Sequence, residues 1–449
     1  MLEKIFKLKE HGTNTRTEIM AGITTFMTMA YIIVVNPLIL GDAGMPMGAV
    51  MVATCLAAAI GTFIMGFLAN YPFALAPGMG LNAFFAYTVV LTMGLSWQAA
   101  LAAVFISGIV FLLLTLTKAR EAIINSIPLS LKYAVSVGIG LFIALIGLKN
   151  AGIIVHNPGT GSLGLVNASY FMDENLMALL PFGTSLKSIL LAVIGFIITG
   201  AMVIKNVRGS LLWGILATTV IGIPLGVVQL GAGFSPVSMP PSISATFFAM
   251  DFKEVFTFGL IPIIFAFTFV DLFDTVGTLV GVSSKAGMLD EKGNLPKANK
   301  ALLADSIATM AGAALGTSTT TTFVESASGV AEGGRTGLTA ITTGVLFLLA
   351  LFFSPLVGII PSAATAPILI IVGIFMMEPV TKINFSNYLE AIPAFLAIFM
   401  MPLAYSIAEG IVFGIIAYTV LHLLTGKTKD ISITMWILTG LFILRFFVS

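Results

Sequence analysis

The sequence predicts an all-α polytopic membrane protein of fourteen transmembrane segments, arranged as a 7+7 inverted repeat. Three observations predict it. Mean hydropathy is +1.07 and charged residues are only 9% of the 449, about a third of the usual share for a domain that faces water. Apolar stretches such as 19–40 and 211–230 match the roughly 20 helical residues needed to cross a bilayer. The positive charges, finally, sort by loop once the crossings are placed.

The crossings fall near 18–41, 47–69, 73–91, 97–117, 133–148, 186–204, 210–229, 258–282, 300–316, 317–331, 336–354, 362–377, 389–405 and 409–425. The stretch 431–448 is a further span or an interfacial helix. With sides alternating, 17 of the 21 Lys and Arg share one class of loop, the others being Lys149, Lys187, Lys253 and Arg445. The positive-inside rule puts that class, and the N-terminus, in the cytoplasm. The opening MLEKIFKLKEHG lacks the small-residue cleavage pattern of a signal peptide.

Several chemistries are excluded. Cys55 is the only cysteine, so neither an intrachain disulfide nor a cysteine metal cluster can form. His11, His156 and His422 are too scattered for a histidine metal site. No P-loop pattern is present, which rules out an ATP-driven motor in this chain. No cofactor and no nucleic-acid partner is expected; the lipid bilayer is.

Seven segments and seven, with segment 1 running outward and segment 8 inward, suit an inverted repeat. "VRGSLLWGILATTV" (207–220) and "AEGIVFGIIAYTV" (408–420) echo one another weakly. The third segment of each half is broken. In "YPFALAPGMGLNAFF" (71–85) Pro72, Pro77, Gly78 and Gly80 interrupt any helix. In "LGTSTTTTFVES" (315–326) six hydroxyl residues, Thr317 to Thr322, favour extended backbone. Open backbone at membrane depth is tolerated only inside protein or along a water-filled cavity. Two interruptions at matching places therefore point to a substrate site near the midplane.

Most acids read as solvated loop charges, among them Glu121, Asp173, Glu174, Asp290 and Glu291. Three do not. In "FAFTFVDLFDTVGTLVG" (265–281) Asp271 and Asp274 stand at i, i+3 and share a helical face with Thr268, Thr275 and Thr278, while Phe267, Phe269, Phe273 and Val276 cover the rest. An aspartate at a helix centre costs roughly 2.5–3.5 kcal/mol even on the lenient insertion scale. Glu325 is the third, either capping a short helix or meeting a ligand. Glu332 reads as an ion-pair partner of nearby Arg335. Buried carboxylates can exchange a proton near neutral pH. The segments holding them contain no basic residue, which suits a proton, a sodium ion or a neutral solute rich in N–H donors. Asn82 offers both a donor and an acceptor.

"APGMGLNAFFAY", "FTFVDLFDTVGTLVG", "LADSIATMAGAALGTSTTTTFVESASGVAEGGRTG" and "MPLAYSIAEGI" closely resemble the AzgA-like adenine/guanine/hypoxanthine permeases of the nucleobase–ascorbate transporter family, over essentially the whole chain. The resemblance implies a core domain of segments 1–4 and 8–11 (1–132 and 258–355) and a gate domain of segments 5–7 and 12–14 (133–257 and 356–449). It implies short strands in segments 3 and 10 with the base between them. It implies base-binding roles for Asp271 and Glu325 and a place for Asn82 in the pocket; Thr275 and Ser326 are expected among the substrate-binding residues as well. Proton coupling then falls to Asp271, Asp274 and Glu325. It further implies uptake at the plasma (inner) membrane and a homodimer. Uracil permeases carry a histidine one turn after their segment-8 acid; Thr275 here favours the purine branch.

The expected function is thus a proton symporter of purine nucleobases, with hypoxanthine and guanine ahead of adenine, and no enzyme. Rival readings are the same scaffold carrying xanthine, a pyrimidine or an anion, an intramembrane aspartyl protease, and a channel. The protease's Gly-x-Gly-Asp stretch is absent.

Overall fold

The computed structural model describes residues 2–117, 127–157, 162–172, 176, 180, 184–231, 234–257, 261–285, 287–288 and 295–448. Glu121, Asp173, Glu174, Asp290 and Glu291, expected as loop charges, lie outside the described residues, as do Lys118 and Arg120. So do the side chains of Phe273, Val276 and Arg445.

Helices dominate, and eight among the described residues have the length and apolar composition to cross a membrane. The chain is a multi-pass membrane protein. Its first crossing is two helices, Thr15–Met29 and Ile32–Asp42. The side chain of Asn14 starts the first by accepting from the Thr17 amide at 3.0 Å, satisfying one orphan donor of the first turn. A two-residue turn, Ala30–Tyr31, separates the pair; within the second, Pro37 has no N–H to return to the carbonyl four residues back. At the other end, Ile433–Val448 is helical and packs on Ile407–Leu424, with Thr439 donating to Thr419 at 2.7 Å.

The two interrupted segments behave as their composition requires. Asn70 takes a left-handed turn (φ 57°) and ends the second crossing. Strand β1 (Leu75–Pro77) follows, then a short helix Met79–Ala83 and a wide-pitched turn series Phe84–Thr92. Strands β2 (Ile154–Asn157) and β3 (Ser162–Leu165) form a separate hairpin. Strand β4 (Thr320–Thr322) leads into the short helix Ser326–Ala331. β1 and β4 pair antiparallel, with Leu75 opposite Thr322, Ala76 opposite Thr321 and Pro77 opposite Thr320.

Packing divides the helices into two groups. In one, Trp97–Leu116 and Met47–Ile64 pack on Ala298–Leu315, and Thr15–Met29 packs on Gly337–Ala350. In the other, Leu129–Asn150 packs on Ser362–Met376 and on Tyr388–Leu403, which lies against Ile407–Leu424. The strand pair belongs to the first group. Phe84, Phe85 and Phe267 are fully buried beside it, and Phe84 meets Phe267 edge-on with ring centres 4.8 Å apart. These rings pack the core.

Candidate functional site

A two-stranded ladder inside a membrane leaves backbone groups unpaired along both outer edges, and each must find a partner. Flanking side chains supply them. Thr62 accepts from the Leu75 amide at 2.9 Å and donates to its carbonyl at 3.1 Å. The Ser326 hydroxyl accepts from the Ala74 amide at 3.0 Å. On the far edge Thr309 donates to the Thr320 carbonyl at 3.1 Å, and Asp305 accepts from the Thr322 amide at 3.0 Å. The ladder is continued by Gly78 N to Thr319 O at 3.0 Å and Phe323 N to Ala74 O at 2.9 Å.

The hydroxyl run is also fastened through its side chains. Thr317 accepts from Asn36 at 2.8 Å. Ser318 donates to the Asn82 side-chain oxygen, so the polar residue of one broken segment meets the hydroxyl run of the other. Thr321 lies 2.7 Å from the Thr275 hydroxyl, and Thr322 reaches Asp305 at 3.3 Å. The hydroxyls of Thr319 and Thr320 are buried without a partner among the described residues. The run is therefore more than a β-branched strand former: four of its six hydroxyls tie the strand to surrounding helices.

The acids gather around this ladder. Asp271 and Thr275 sit one turn apart on the helix Ile261–Lys285, both buried, with the Thr275 hydroxyl 3.4 Å from Asp271 and 2.9 Å from Asp305. Asp274, on the same face, is partly exposed. A side-chain carbon added at Gly78 would lie 3.5 Å from its carboxylate, and it is within electrostatic reach of Asp305 and Glu325. Glu325 occupies the first position before the helix Ser326–Ala331 but makes no capping bond to it. Its carboxylate instead accepts from the Tyr31 phenol at 2.8 Å.

The geometry thus brings Asn82, Asp271, Asp274, Thr275, Glu325 and Ser326 to one strand pair. Ser326 and Thr275 are already engaged with protein groups there. Two residues of the site were not expected from sequence. Asp305 lies in the apolar run "ALLADSIATMAGAAL", so the criterion that marks Asp271, an acid inside a span, marks it equally. Tyr31 carries no such mark, since an aromatic in an apolar helix is unremarkable until its partner is known. The pairing expected for Glu332 is not found. Glu332 forms its ion pair with Arg208, while the Arg335 guanidinium donates to the Val330 and Gly334 carbonyls. The Arg335 backbone amide donates to buried Glu18 at 2.8 Å.

Paired broken segments with acids around them, in a bundle of apolar helices, fit a membrane transporter, and membership of a permease family makes the chain a transporter and not an enzyme. The same fold occurs in the transmembrane domain of a cyanobacterium bicarbonate transporter, BicA, which superposes with a TM-score of 0.63 at 18% identity, covering 88% of this chain and 97% of that one. Murine Slc26a9, an anion transporter, gives 0.62 at 11% identity over 91% and 68%. The chain belongs to the permease family of the xanthine and uracil permeases, which matches residues 16–413. Among its relatives, the adenine permease AdeP of Escherichia coli is 47% identical over 99% of this chain and 96% of its own. The guanine/hypoxanthine permease PbuG of Bacillus subtilis is 45% identical over 99% of each.

Proposed function

We propose that this protein is a proton-coupled symporter that imports purine nucleobases, with hypoxanthine and guanine favoured and adenine possible, by alternating access. The observation that carries the proposal is the antiparallel pairing of β1 with β4, around which Asn82, Asp271, Asp274 and Glu325 gather. Purines present ring and exocyclic N–H groups. Carboxylates accept such groups, and Asn82 can both donate and accept. The names of the relatives, adenine and guanine/hypoxanthine permeases, support the same substrate class.

In this reading Asp271 and Glu325 accept from the base, Asn82 lines the pocket, and Asp274 carries or tunes the coupled proton. Thr275 and Ser326 hold the frame on which the base rests. The fourteen segments form two inverted halves. The first packing group is the core (1–132 and 258–355), and the second is the gate (133–257 and 356–449), past which the core moves. The N-terminus is cytoplasmic, the membrane is the inner (plasma) membrane, and two chains form a homodimer.

Uptake of labelled hypoxanthine into proteoliposomes tests the proposal. An acid-outside gradient stimulates uptake, and a protonophore abolishes the stimulation. Asp271→Asn and Glu325→Gln each lower uptake by at least about tenfold, as expected when a transporter loses a substrate contact made by a charged group. Wild-type uptake in both variants would overturn the site. Competition by a panel of adenine, guanine, xanthine, uracil and bicarbonate separates this reading from a xanthine, pyrimidine or anion carrier.

A further inference from the structure

Tyr31 lies where the first crossing breaks, between Thr15–Met29 and Ile32–Asp42. Its side chain is 1% exposed, and a buried phenol needs a hydrogen-bond partner. The partner is Oε1 of Glu325, 294 residues away, at 2.8 Å. The surrounding backbone holds this contact in register. At Gly329 a side-chain carbon would lie 2.7 Å from the Ala21 carbonyl and would also strike the Thr25 hydroxyl; only glycine lets the two segments approach so closely. One turn nearer the break, the Thr28 and Ser328 hydroxyls meet at 3.0 Å. The seam therefore delivers the Tyr31 hydroxyl to Glu325 from a fixed direction.

Within this seam, Gly329 and the Thr28–Ser328 pair set the distance between segments, whereas Tyr31 acts on the carboxylate itself. The Glu325 carboxylate makes no capping bond to the helix it precedes, so that helix does not orient the side chain through a cap. The last torsion of a glutamate is soft, and a carboxylate offers about four lone-pair sites on two oxygens. One donor at Oε1 is enough to select a plane without exhausting the group.

We infer that Tyr31 is a positioning residue, whose phenol fixes the Glu325 carboxylate through Oε1 and leaves Oε2 turned to accept an N–H of the purine base. This rests on the reading of Glu325 as a base-binding group. The base then meets an acceptor already oriented, and the ordering cost is not taken from its binding energy. Tyr31 itself does not touch the base; its effect is exerted through Glu325.

Tyr31→Phe removes the hydroxyl and keeps the ring. In proteoliposomes it is expected to raise KM for hypoxanthine and guanine by about tenfold while the maximal rate stays within about twofold, the pattern of lost uniform binding. Its melting temperature in detergent stays near the wild-type value. An unchanged KM would overturn the inference. A lowered maximal rate with unchanged KM and a lower melting temperature would also overturn it, since the hydroxyl would then support the fold and not the carboxylate. A variant too unstable to assay counts the same way. Absence of purine uptake by the wild-type protein would be a failure of the substrate reading, seen in the control before any variant is compared.

Discussion

The Thr275 hydroxyl lies 2.9 Å from the Asp305 carboxylate, and the same carboxylate receives the Thr322 amide at 3.0 Å. One buried acid thus joins the helix that carries Asp271 to the strand that precedes Glu325. Asp305→Ala leaves a strand amide and a hydroxyl without this acceptor. Each such buried group costs roughly 1–3 kcal/mol. The variant is expected to melt several degrees below wild type and to lose most hypoxanthine uptake. Asp305→Asn, whose amide oxygen can still accept from Thr322, should recover much of the melting temperature. Thermal unfolding in detergent measures this, and an alanine variant as stable as wild type would show that Asp305 does not brace the site.

Gly78 tests how tightly the two strands are pressed together. A side-chain carbon there would sit 2.7 Å from the Thr321 methyl, a distance at which something must move. Gly78→Ala should cut uptake by about tenfold or more, because a shift of about 1 Å at a positioned site is costly. Thr321→Ser removes the methyl and keeps the hydroxyl that meets Thr275. Adding it to Gly78→Ala is expected to restore part of the uptake. If the double variant is no better than the single one, the strain lies elsewhere.

The Arg208–Glu332 pair joins the turn before Ser210–Gly222, a helix that packs on Ser362–Met376 of the second group, to the end of Ser326–Ala331, which packs on Thr15–Met29 of the first. Exposed ion pairs contribute only about 0–1 kcal/mol, so the pair can break readily if the groups move past one another. Arg208→Cys with Glu332→Cys, in a chain with Cys55→Ala, should be joined by a bifunctional thiol reagent whose reducible spacer matches the two side chains that meet there, a gap too wide for a direct disulfide. Uptake should stop on cross-linking and return on reduction. Full uptake by the cross-linked protein would rule out relative motion of the two groups at this point.

Much of this arrangement is legible in the sequence, for identifiable reasons. Pro72, Pro77 and the glycines near them cannot continue a helix, and a threonine run prefers extended backbone, so both interruptions follow from local chemistry. Asp271 and Asp274 are legible because an acid is costly in an apolar span. What local chemistry does not carry is partnership. The sequence places Glu332 near Arg335, but the buried Glu18 carboxylate accepts from the amides of Arg335, Thr336 and Thr339 and from the Thr339 hydroxyl. Glu332 is left to pair across the packing groups. The bond between Tyr31 and Glu325, and the fastening of Ser318 to Asn82, likewise join residues hundreds of positions apart, which no window along the chain can see.

The register of the two strands has a consequence for how the protein is made. Leu75 pairs with Thr322, across 247 residues of chain. The first broken segment is therefore synthesised long before its partner exists, and closing a loop of that length is slow compared with forming a helix. During translation the amides of Ala74, Leu75, Ala76 and Gly78 must be satisfied by water or, at Leu75, by Thr62. A ribosome-stalled chain ending before Gly316 should expose them to hydrogen exchange, and protection should appear only when the threonine strand has entered the membrane. Assembly of the site is in this sense a late event in biogenesis, set by the half of the chain that is made last.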